Sequence, residues 1–262
     1  MSRKFSISAG VETLFIGRNR IRLDGVGSTN NYAAEMLRQV GTPEGTLITA
    51  NYQSAGRGQR ANSWQSEAGM NILCTYILKP SWLSIDRQFT LNKALALAVQ
   101  RTIQTFCKHE SVQIKWPNDV MVNGSKVAGI LLENTVAGGQ IVSSLAGIGV
   151  NVNQRNFAID GRKVCSMADV LEEVLSLDAV QDELSSNLEA YYLKLRSGGD
   201  QKIDEEFMSV LYKRDEACAF ETVEGLRNYI VREVSKQGLL VVEDLEGNVI
   251  EFQHGEVHMV MK

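Results

Sequence analysis

The sequence has few of the residues that build metal centres or disulfide frameworks. Its 262 residues include three histidines and four cysteines, which are Cys74, Cys107, Cys165 and Cys218. No two cysteines lie near each other in the chain, so the CxxC spacing typical of zinc sites is missing. Scattered cysteines usually pack as small apolar side chains in a reducing compartment. We therefore expect no tightly bound metal and a cytoplasmic location.

The sequence also lacks a long apolar run and an excess of positive charge. No stretch reaches the roughly 18 apolar residues of a membrane span, and the first residues contain no apolar core of a signal peptide. There are 27 Lys and Arg against 31 Asp and Glu, a net charge of −4. Nucleic-acid binding depends mainly on contacts between positive side chains and phosphates. We therefore predict a soluble protein that binds neither membranes nor nucleic acids.

The residues that are present predict a large domain followed by a small one. Hydrophobic residues make up 44% and charged residues 22% of the chain, an ordinary globular composition. Helices are predicted over 88–107, about 166–176 and 179–197, while strands between 112 and 148 are joined by short turns and should pair antiparallel. After Ala217 the pattern changes to five short β segments, typical of a small barrel. We predict an α+β fold, with a main domain at 1–200 and a small β-barrel domain at 201–262.

The most unusual segment is residues 53–64, QSAGRGQRANSW, which lies between two apolar strands. Its residues of chemical interest are Gln53, Gly56, Arg57, Gly58, Arg60 and Trp64. Glycines let a ligand approach the backbone N–H groups, arginines add positive charge, and tryptophan offers a flat apolar wall. Composition alone would fit a surface loop, but this combination favours a ligand-binding loop.

Three further segments place polar residues within apolar β structure. Residues 115–119, KWPND, interrupt a strand with a proline flanked by charges of both signs. Residues 126–133, KVAGILLE, place a lysine at the start of an apolar strand, and Gly129 within it indicates close approach by a ligand or another backbone. Residues 147–153, GIGVNVN, have the same character. Each segment alone also fits an ordinary strand end or turn.

Taken together, these motifs resemble the biotin protein ligase family. The resemblance includes STN at 28–30, QxxGRG at 53–58 with Trp64, KWPND, KVAGILLE, and GVNVN at 149–153. It implies a mixed, mostly antiparallel sheet with helices, similar to class II aminoacyl-tRNA synthetases, and a C-terminal Src-homology-3-like barrel. About twenty residues precede the first strand of the main domain. We therefore expect a short form without an N-terminal DNA-binding domain.

The resemblance also implies a two-step, ATP-dependent ligation. Biotin would be activated as biotinyl-5′-AMP and transferred to a lysine of the biotin carrier domain of carboxylases of the acetyl-CoA carboxylase type. The implied partners are biotin, ATP with Mg²⁺ as co-substrates, and the carrier domain. The oligomeric state is left open between a monomer and a homodimer.

The family's site residues transfer to matching positions of this sequence. For biotin binding they are Ser28, Thr29, Asn30, Gln53, Gly56, Arg57, Gly58, Gln59, Lys126, Gly129 and Gly147. For ATP or adenylate binding they are Arg57, Arg60, Trp64, Asn118, Lys126 and Asn151. The proposed catalytic residues are Arg57, Lys126, Lys115 and Asp119, with Asp119 as the candidate magnesium ligand.

Two departures and two alternatives accompany this interpretation. Gln59 stands where family members often carry arginine, and Ala61 stands where they carry glycine, so the adenylate is expected to be held differently. The closest alternative is a lipoate or octanoate ligase on the same fold, which the polar residues at 28–30 disfavour. A second alternative is a protein-binding module built on the C-terminal barrel, which would leave the charged residues of the main domain unexplained.

Overall fold

Two β-sheets organise the chain in the computed structural model, which describes residues 4–5, 13–38, 41–59, 62–157 and 163–261. The larger sheet contains eight strands: β1 (Lys4–Phe5), β2 (Arg20–Leu23), β3 (Thr46–Ala50), β4 (Ile72–Leu78), β5 (Val112–Lys115), β6 (Asp119–Val122), β7 (Ser125–Ala137) and β8 (Gln140–Val150). Their order across the sheet is β1-β2-β3-β4-β8-β7-β6-β5. Among the strands that the structure describes in this sheet, only β2 and β3 pair in parallel, and helix α1 (Thr29–Leu37) lies between them in the chain. The sheet is therefore mixed and mostly antiparallel, as predicted.

The remaining helices cover the larger sheet. They are α2 (Gln88–Phe106), α3 (Met167–Leu171), α4 (Leu177–Arg196) and α5 (Asp200–Ser209), with a single 3₁₀ turn at Ile85–Arg87. Leu91, Leu95 and Val99 recur at helical spacing on α2 and are almost fully buried, which confirms the helix predicted over 88–107. Within the described residues, no helix is long and apolar enough to cross a membrane.

Helix α3 is shorter than the predicted helix over 166–176. A capping box starts it: the Asp169 N–H donates to Ser166 Oγ at 3.1 Å, and the Ser166 N–H donates to Asp169 Oδ2 at 3.0 Å. The helix ends at Leu171 because Glu172 adopts a left-handed backbone with φ of 58°. The side-chain pattern alone did not indicate this early end.

The smaller sheet contains the five strands predicted after Ala217. They are β9 (Ala217–Thr222), β10 (Gly225–Val234), β11 (Leu240–Glu243), β12 (Val249–Phe252) and β13 (His258–Met259), in the order β12-β11-β10-β9-β13. All neighbours pair antiparallel. Helix α5 precedes this sheet and is tied to α2 by an ion pair of 2.8 Å between Lys93 Nζ and Asp204 Oδ1. The domain boundary at residues 200 and 201 stays a prediction.

Candidate active site

A cavity of about 640 Å³ lies between the larger and the smaller sheet and gathers most of the predicted site residues. Those that line it are Ser28, Thr29, Asn30, Gln53, Arg57, Gly58, Gln59, Trp64, Lys115, Asn118, Asp119, Lys126, Gly129 and Gly147. Motifs that are far apart in the sequence thus meet at one place, which is the arrangement expected of a binding site.

Two of the predicted positions, Gly56 and Asn151, do not line the cavity. The backbone oxygen of Gly56 accepts a hydrogen bond of 2.9 Å from the Trp64 N–H and so helps to close the loop 53–64. The buried side-chain amide of Asn151 donates to the Cys165 carbonyl at 3.2 Å. Arg60, like Ala61, lies outside the described residues. Ligand contacts of these residues remain predictions.

Buried polar side chains form the floor of the cavity at the start of α1. Gln53 Oε1 accepts hydrogen bonds from the backbone N–H of Thr29 at 2.7 Å and from its hydroxyl at 3.1 Å. Thr75 Oγ1 lies 2.8 Å from Thr29 Oγ1 and 2.6 Å from Asn30 Oδ1. Ser28 occupies the N-cap position but makes no side-chain cap hydrogen bond. Gln53 therefore satisfies a free N–H at the helix start and joins the loop to α1.

An apolar wall stands beside this floor, where Trp64 lies against two facing glycines. Gly129 on β7 and Gly149 on β8 are directly opposite each other in the sheet. A β-carbon at Gly149 would come within 2.6 Å of Trp64 Cζ2, and one at Gly129 within 3.0 Å of Trp64 Cζ3. The indole in this position therefore requires glycine at 149, whereas a β-carbon at 129 would require the ring to shift by a few tenths of an ångström. Trp64 Nε1 is buried with no hydrogen-bond partner in the described part of the chain.

The predicted catalytic cations lie beside carboxylates. Arg57 forms a two-pronged ion pair with Glu133, at 2.7 Å from Nη2 to Oε1 and 3.2 Å from Nη1 to Oε2. Lys126 Nζ lies 2.5 Å from Asp119 Oδ1 and 5.5 Å from the centre of the Trp64 ring. Lysine at such a distance from an indole gains a cation–π attraction. The cavity therefore holds positive charge that is partly balanced by the protein's own carboxylates.

The KWPND segment is fixed rigidly beside Lys126. Asn118 donates from Nδ2 to the Ile130 carbonyl at 2.6 Å, and its own carbonyl accepts from the Ile130 N–H at 3.0 Å. Lys115 and Asp119 are directly opposite each other in the β5–β6 hairpin. Trp116 Nε1 donates to the Gly238 carbonyl at 2.9 Å and so links the segment to the smaller sheet. The motif thus positions charged groups rather than forming an isolated ion pair.

Several residues of the cavity were not identified from the sequence. From the main domain they include Cys74, Gly149 and Lys163, and from the smaller sheet Glu221, His254, His258 and Met259. Burial raises the pKa of the Cys74 thiol to about 12, so this cysteine is not a nucleophile at neutral pH. Thr75, on the apolar strand β4, contacts the floor residues Thr29 and Asn30 and could have been recognised from the sequence as a small polar residue among apolar ones. The contribution of the smaller sheet had no local sequence signal.

Comparisons with known proteins agree with this arrangement. Residues 24–153 match the Biotin/lipoate A/B protein ligase family. The bifunctional ligase/repressor BirA of Bacillus spizizenii is 36% identical over 150 residues, which cover 57% of this chain and 45% of that relative. The biotin–[acetyl-CoA-carboxylase] ligase of Mycobacterium tuberculosis is 27% identical over 245 residues, which cover 90% of this chain and 88% of that protein. The chain thus spans less than half the length of the Bacillus relative.

A solved structure shares the fold. The structure of the biotin protein ligase from Aquifex aeolicus in complex with biotin and ATP has a TM-score of 0.77 and 22% identity, covering 94% of this chain and all of that one. This likeness establishes the α+β architecture of the larger sheet, its helices and the smaller C-terminal sheet. The match over residues 24–153 shows that this part of the chain is a domain of the Biotin/lipoate A/B protein ligase family.

Proposed function

We propose that the protein is a biotin protein ligase, which activates biotin as biotinyl-5′-AMP and transfers it to a lysine of a biotin carrier domain. The observation that carries the proposal is the meeting of three features in one cavity. These are the polar floor of Thr29, Asn30 and Gln53, the apolar wall of Trp64, and the cations Arg57 and Lys126. The relatives named as biotin ligases support the same substrate.

The floor and the wall suit the two halves of biotin. Its ureido head has two N–H donors and one carbonyl acceptor on an apolar bicyclic body, so it needs a few fixed polar groups in an apolar pocket. Thr29 and Asn30 are about 3% exposed and already held by hydrogen bonds, so they lose little freedom on binding. A lipoyl or octanoyl chain offers no hydrogen bonds to these fixed polar groups, so it would gain less from the floor than the ureido head does.

In the first step, a carboxylate oxygen of biotin attacks the α-phosphorus of ATP, and the bond to the pyrophosphate oxygen breaks. The two reacting groups are both anions, and at about 4 Å their repulsion is about 4 kcal/mol at an effective dielectric near 20. Arg57 and Lys126 reduce this repulsion by placing positive charge beside the developing bond. Lys115, opposite Asp119 in the hairpin, adds to the same field.

Asp119 suits a magnesium ion that arrives with the nucleotide. Among the described residues there is no cluster of three or more His, Cys, Asp or Glu that could hold a resident metal. Mg²⁺ in nucleotide sites typically binds one or two carboxylates and completes its shell with phosphates and water. A single carboxylate such as Asp119 fits that pattern. When bound, the ion would neutralise charge on the departing pyrophosphate.

In the second step, the ε-amine of the acceptor lysine attacks the acyl carbon, the bond to AMP breaks, and an amide forms with loss of one proton. The chain's own task is then to hold the adenylate and to admit the acceptor. Positioning of this kind can supply much of the rate without a covalent enzyme intermediate. We assign the reaction to the cytoplasm, since all four cysteines are free thiols.

Pyrophosphate release with Mg-ATP tests the proposal. Biotin, lipoate and octanoate are compared as substrates, and a purified biotin carrier domain is added as acceptor, with its lysine-to-arginine variant as the matched control. We expect pyrophosphate release that depends on biotin, and biotinylation of the intact carrier but not of its lysine-to-arginine variant. Release only with lipoate or octanoate would keep the chemistry but overturn the substrate. No release with any of the three would overturn the ligase function.

A further inference from the structure

Glu133 connects the polar floor of the cavity to one of its cations. Its Oε2 accepts a hydrogen bond from Asn30 Nδ2 at 2.8 Å, while Oε1 accepts from Arg57 Nη2 at 2.7 Å. Arg57 also donates from Nη1 to Asn31 Oδ1 at 2.7 Å. One carboxylate at the end of the KVAGILLE motif therefore contacts a floor residue and a cation of the same cavity.

The carboxylate also fixes which way the Asn30 side chain faces. An ionised carboxylate can only accept hydrogen bonds, so the NH₂ end of the Asn30 amide must point toward Glu133. The oxygen end then faces Thr75 Oγ1, 2.6 Å away, and packs over Gly147. Reversing the amide would place its acceptor oxygen against the carboxylate. The Leu131 carbonyl also accepts from Asn30 Nδ2, at 3.4 Å, but Glu133 is the shorter and charged acceptor and so has the larger part in setting the donor and acceptor pattern of the floor.

The Glu133–Arg57 pair contributes little to folding. The side chains of Arg57 and Glu133 are 42% and 34% exposed. Ion pairs this exposed typically contribute little to stability, because water screens both charges. Replacing Glu133 should therefore change the geometry of the site far more than the stability of the fold.

We propose that Glu133 is a positioning residue of this site, which holds the Asn30 amide and the Arg57 guanidinium in one arrangement. The inference rests on the proposed function, because it takes Asn30 as part of the substrate-head site and Arg57 as the cation of the reaction. Glu133 itself lies behind both residues and acts through them. Its role is to couple recognition of the ureido head to the orientation of the charge that assists adenylate formation.

The decisive substitution is Glu133→Gln, which keeps the shape but presents an NH₂ donor. A glutamine has only one acceptor oxygen, so its NH₂ must oppose either the Asn30 NH₂ or the Arg57 guanidinium, and one of the two contacts is lost. We expect the Kd for biotin, measured by calorimetry without ATP, to rise about tenfold, the scale of one lost hydrogen bond to a charged group. In pyrophosphate release, kcat should fall as well, because the Arg57 guanidinium is no longer held in place by the carboxylate. The KM for ATP should change less than about threefold. Glu133→Asp, which keeps an acceptor-only group, should recover most of the biotin affinity.

Glu224→Gln is the matched control. Glu224 also pairs with an arginine, at 3.5 Å from Arg227 Nη2, but it lies on the turn between β9 and β10 and does not line the cavity. This variant should bind biotin and turn over like the wild type. Equal biotin Kd and kcat in Glu133→Gln and Glu224→Gln would overturn the role of Glu133, given a wild type that binds biotin.

A ligand-free measurement separates this inference from the proposed function. In ¹⁵N NMR spectra, Glu133→Gln should shift the side-chain amide signals of Asn30 and the Nε–H signal of Arg57, whereas Glu224→Gln should leave both in place. Unmoved signals would overturn the coupling whatever the protein ligates. Shifted signals in a protein that fails to bind biotin would keep the coupling and reject the substrate.

Discussion

Asp119 and Lys126 form an ion pair of 2.5 Å at the edge of the cavity. Asp119 begins β6 and lies opposite Gly129, while Lys126 on β7 lies opposite Met121, two residues farther along β6, so the long Lys126 side chain reaches back to the carboxylate. Lys126 also lies over the Trp64 ring. A lysine held on two sides in this way has a defined position, and catalysis by preorganised charge depends on such positioning.

Lys126→Ala should lower the rate of biotin-dependent pyrophosphate release at least about a hundredfold, the scale of one lost electrostatic group at a reaction centre. Lys194→Ala is the control, because Lys194 also pairs with a carboxylate, Glu206 at 2.7 Å, and lies over an aromatic ring, Tyr191. The control lies outside the cavity and should retain near-normal rates. A similar rate in both variants would remove Lys126 from the catalytic residues.

Arg57→Ala should also reduce adenylate formation at least about a hundredfold, because the reacting anions lose a guanidinium. Arg87→Ala is the matched control, because it also removes an arginine from a two-pronged ion pair. Arg87 makes a two-pronged pair with Asp200, at 2.9 Å and 2.7 Å, and its side chain is 34% exposed, close to the 42% of Arg57. Single-turnover measurement of biotinyl-5′-AMP formation distinguishes the two variants. Normal adenylate formation in Arg57→Ala would contradict the proposed mechanism.

Gly149→Ala should displace Trp64 and weaken biotin binding, because the added β-carbon would overlap the indole. We expect the Kd for biotin to rise at least about tenfold, since the apolar wall can no longer pack as closely. Gly25→Ala is the control: a β-carbon there would meet no atom closer than 4.0 Å. Calorimetric titration of biotin into each variant makes the comparison. An unchanged affinity in Gly149→Ala would show that the wall does not contact the ligand.

Local patterns in the sequence were sufficient to predict most elements of the fold. Helix α2 follows from its apolar residues at helical spacing, and the hairpins from β5 to β8 follow from short turns between apolar strands. The predicted end of α3 was wrong, because Glu172 adopts a left-handed backbone conformation that glutamate does not favour. Backbone exceptions of this kind leave little trace in side-chain pattern.

The site was predicted as a set of motifs, but its internal contacts were not. Gln53 meets Thr29 across 24 residues, and Trp116 reaches Gly238 across 122. Sequence periodicity does not connect positions that far apart. The partners of Arg57, and the part of the cavity wall that the smaller sheet supplies, could therefore be identified only from the structure. Glu133 is an example of this limit. It was part of the KVAGILLE motif, but only its contacts with Asn30 and Arg57 in the structure indicate what it does.

Asp204→Asn should destabilise the fold more than Lys93→Met, although both break the same ion pair. The Lys93 side chain is 2% exposed and that of Asp204 26%. Removal of the carboxylate leaves a buried ammonium group with the Val234 carbonyl as its remaining hydrogen-bond acceptor among the described residues. We expect a loss of about 3 kcal/mol in the free energy of unfolding for Asp204→Asn.

Lys93→Met keeps the buried aliphatic volume and leaves a carboxylate that water can reach, so its loss should be about 1 kcal/mol. Asp178→Asn breaks the exposed Arg22 pair, with side chains 42% and 68% exposed, and serves as the control. It should change stability by less than about 0.5 kcal/mol. Urea unfolding at pH 7 ranks the three variants. Equal losses for Asp204→Asn and Lys93→Met would show that the buried charge is not the cause.

The Cys74 thiol should make stability fall at high pH. Burial raises its pKa from 9.0 to about 12 in the folded protein, so the unfolded chain loses this proton first. A group whose pKa is raised on folding stabilises the protein below its unfolded pKa, and this contribution is lost as the pH rises from about 9 toward 12. Between pH 8 and 10 the wild type should lose about 1.4 kcal/mol more than Cys74→Ala in the free energy of unfolding. Urea titrations at both pH values measure this difference directly, and other buried tyrosines and cysteines cancel in the comparison. Parallel losses in the two proteins would mean that the Cys74 thiol ionises as readily in the folded chain as in the unfolded one.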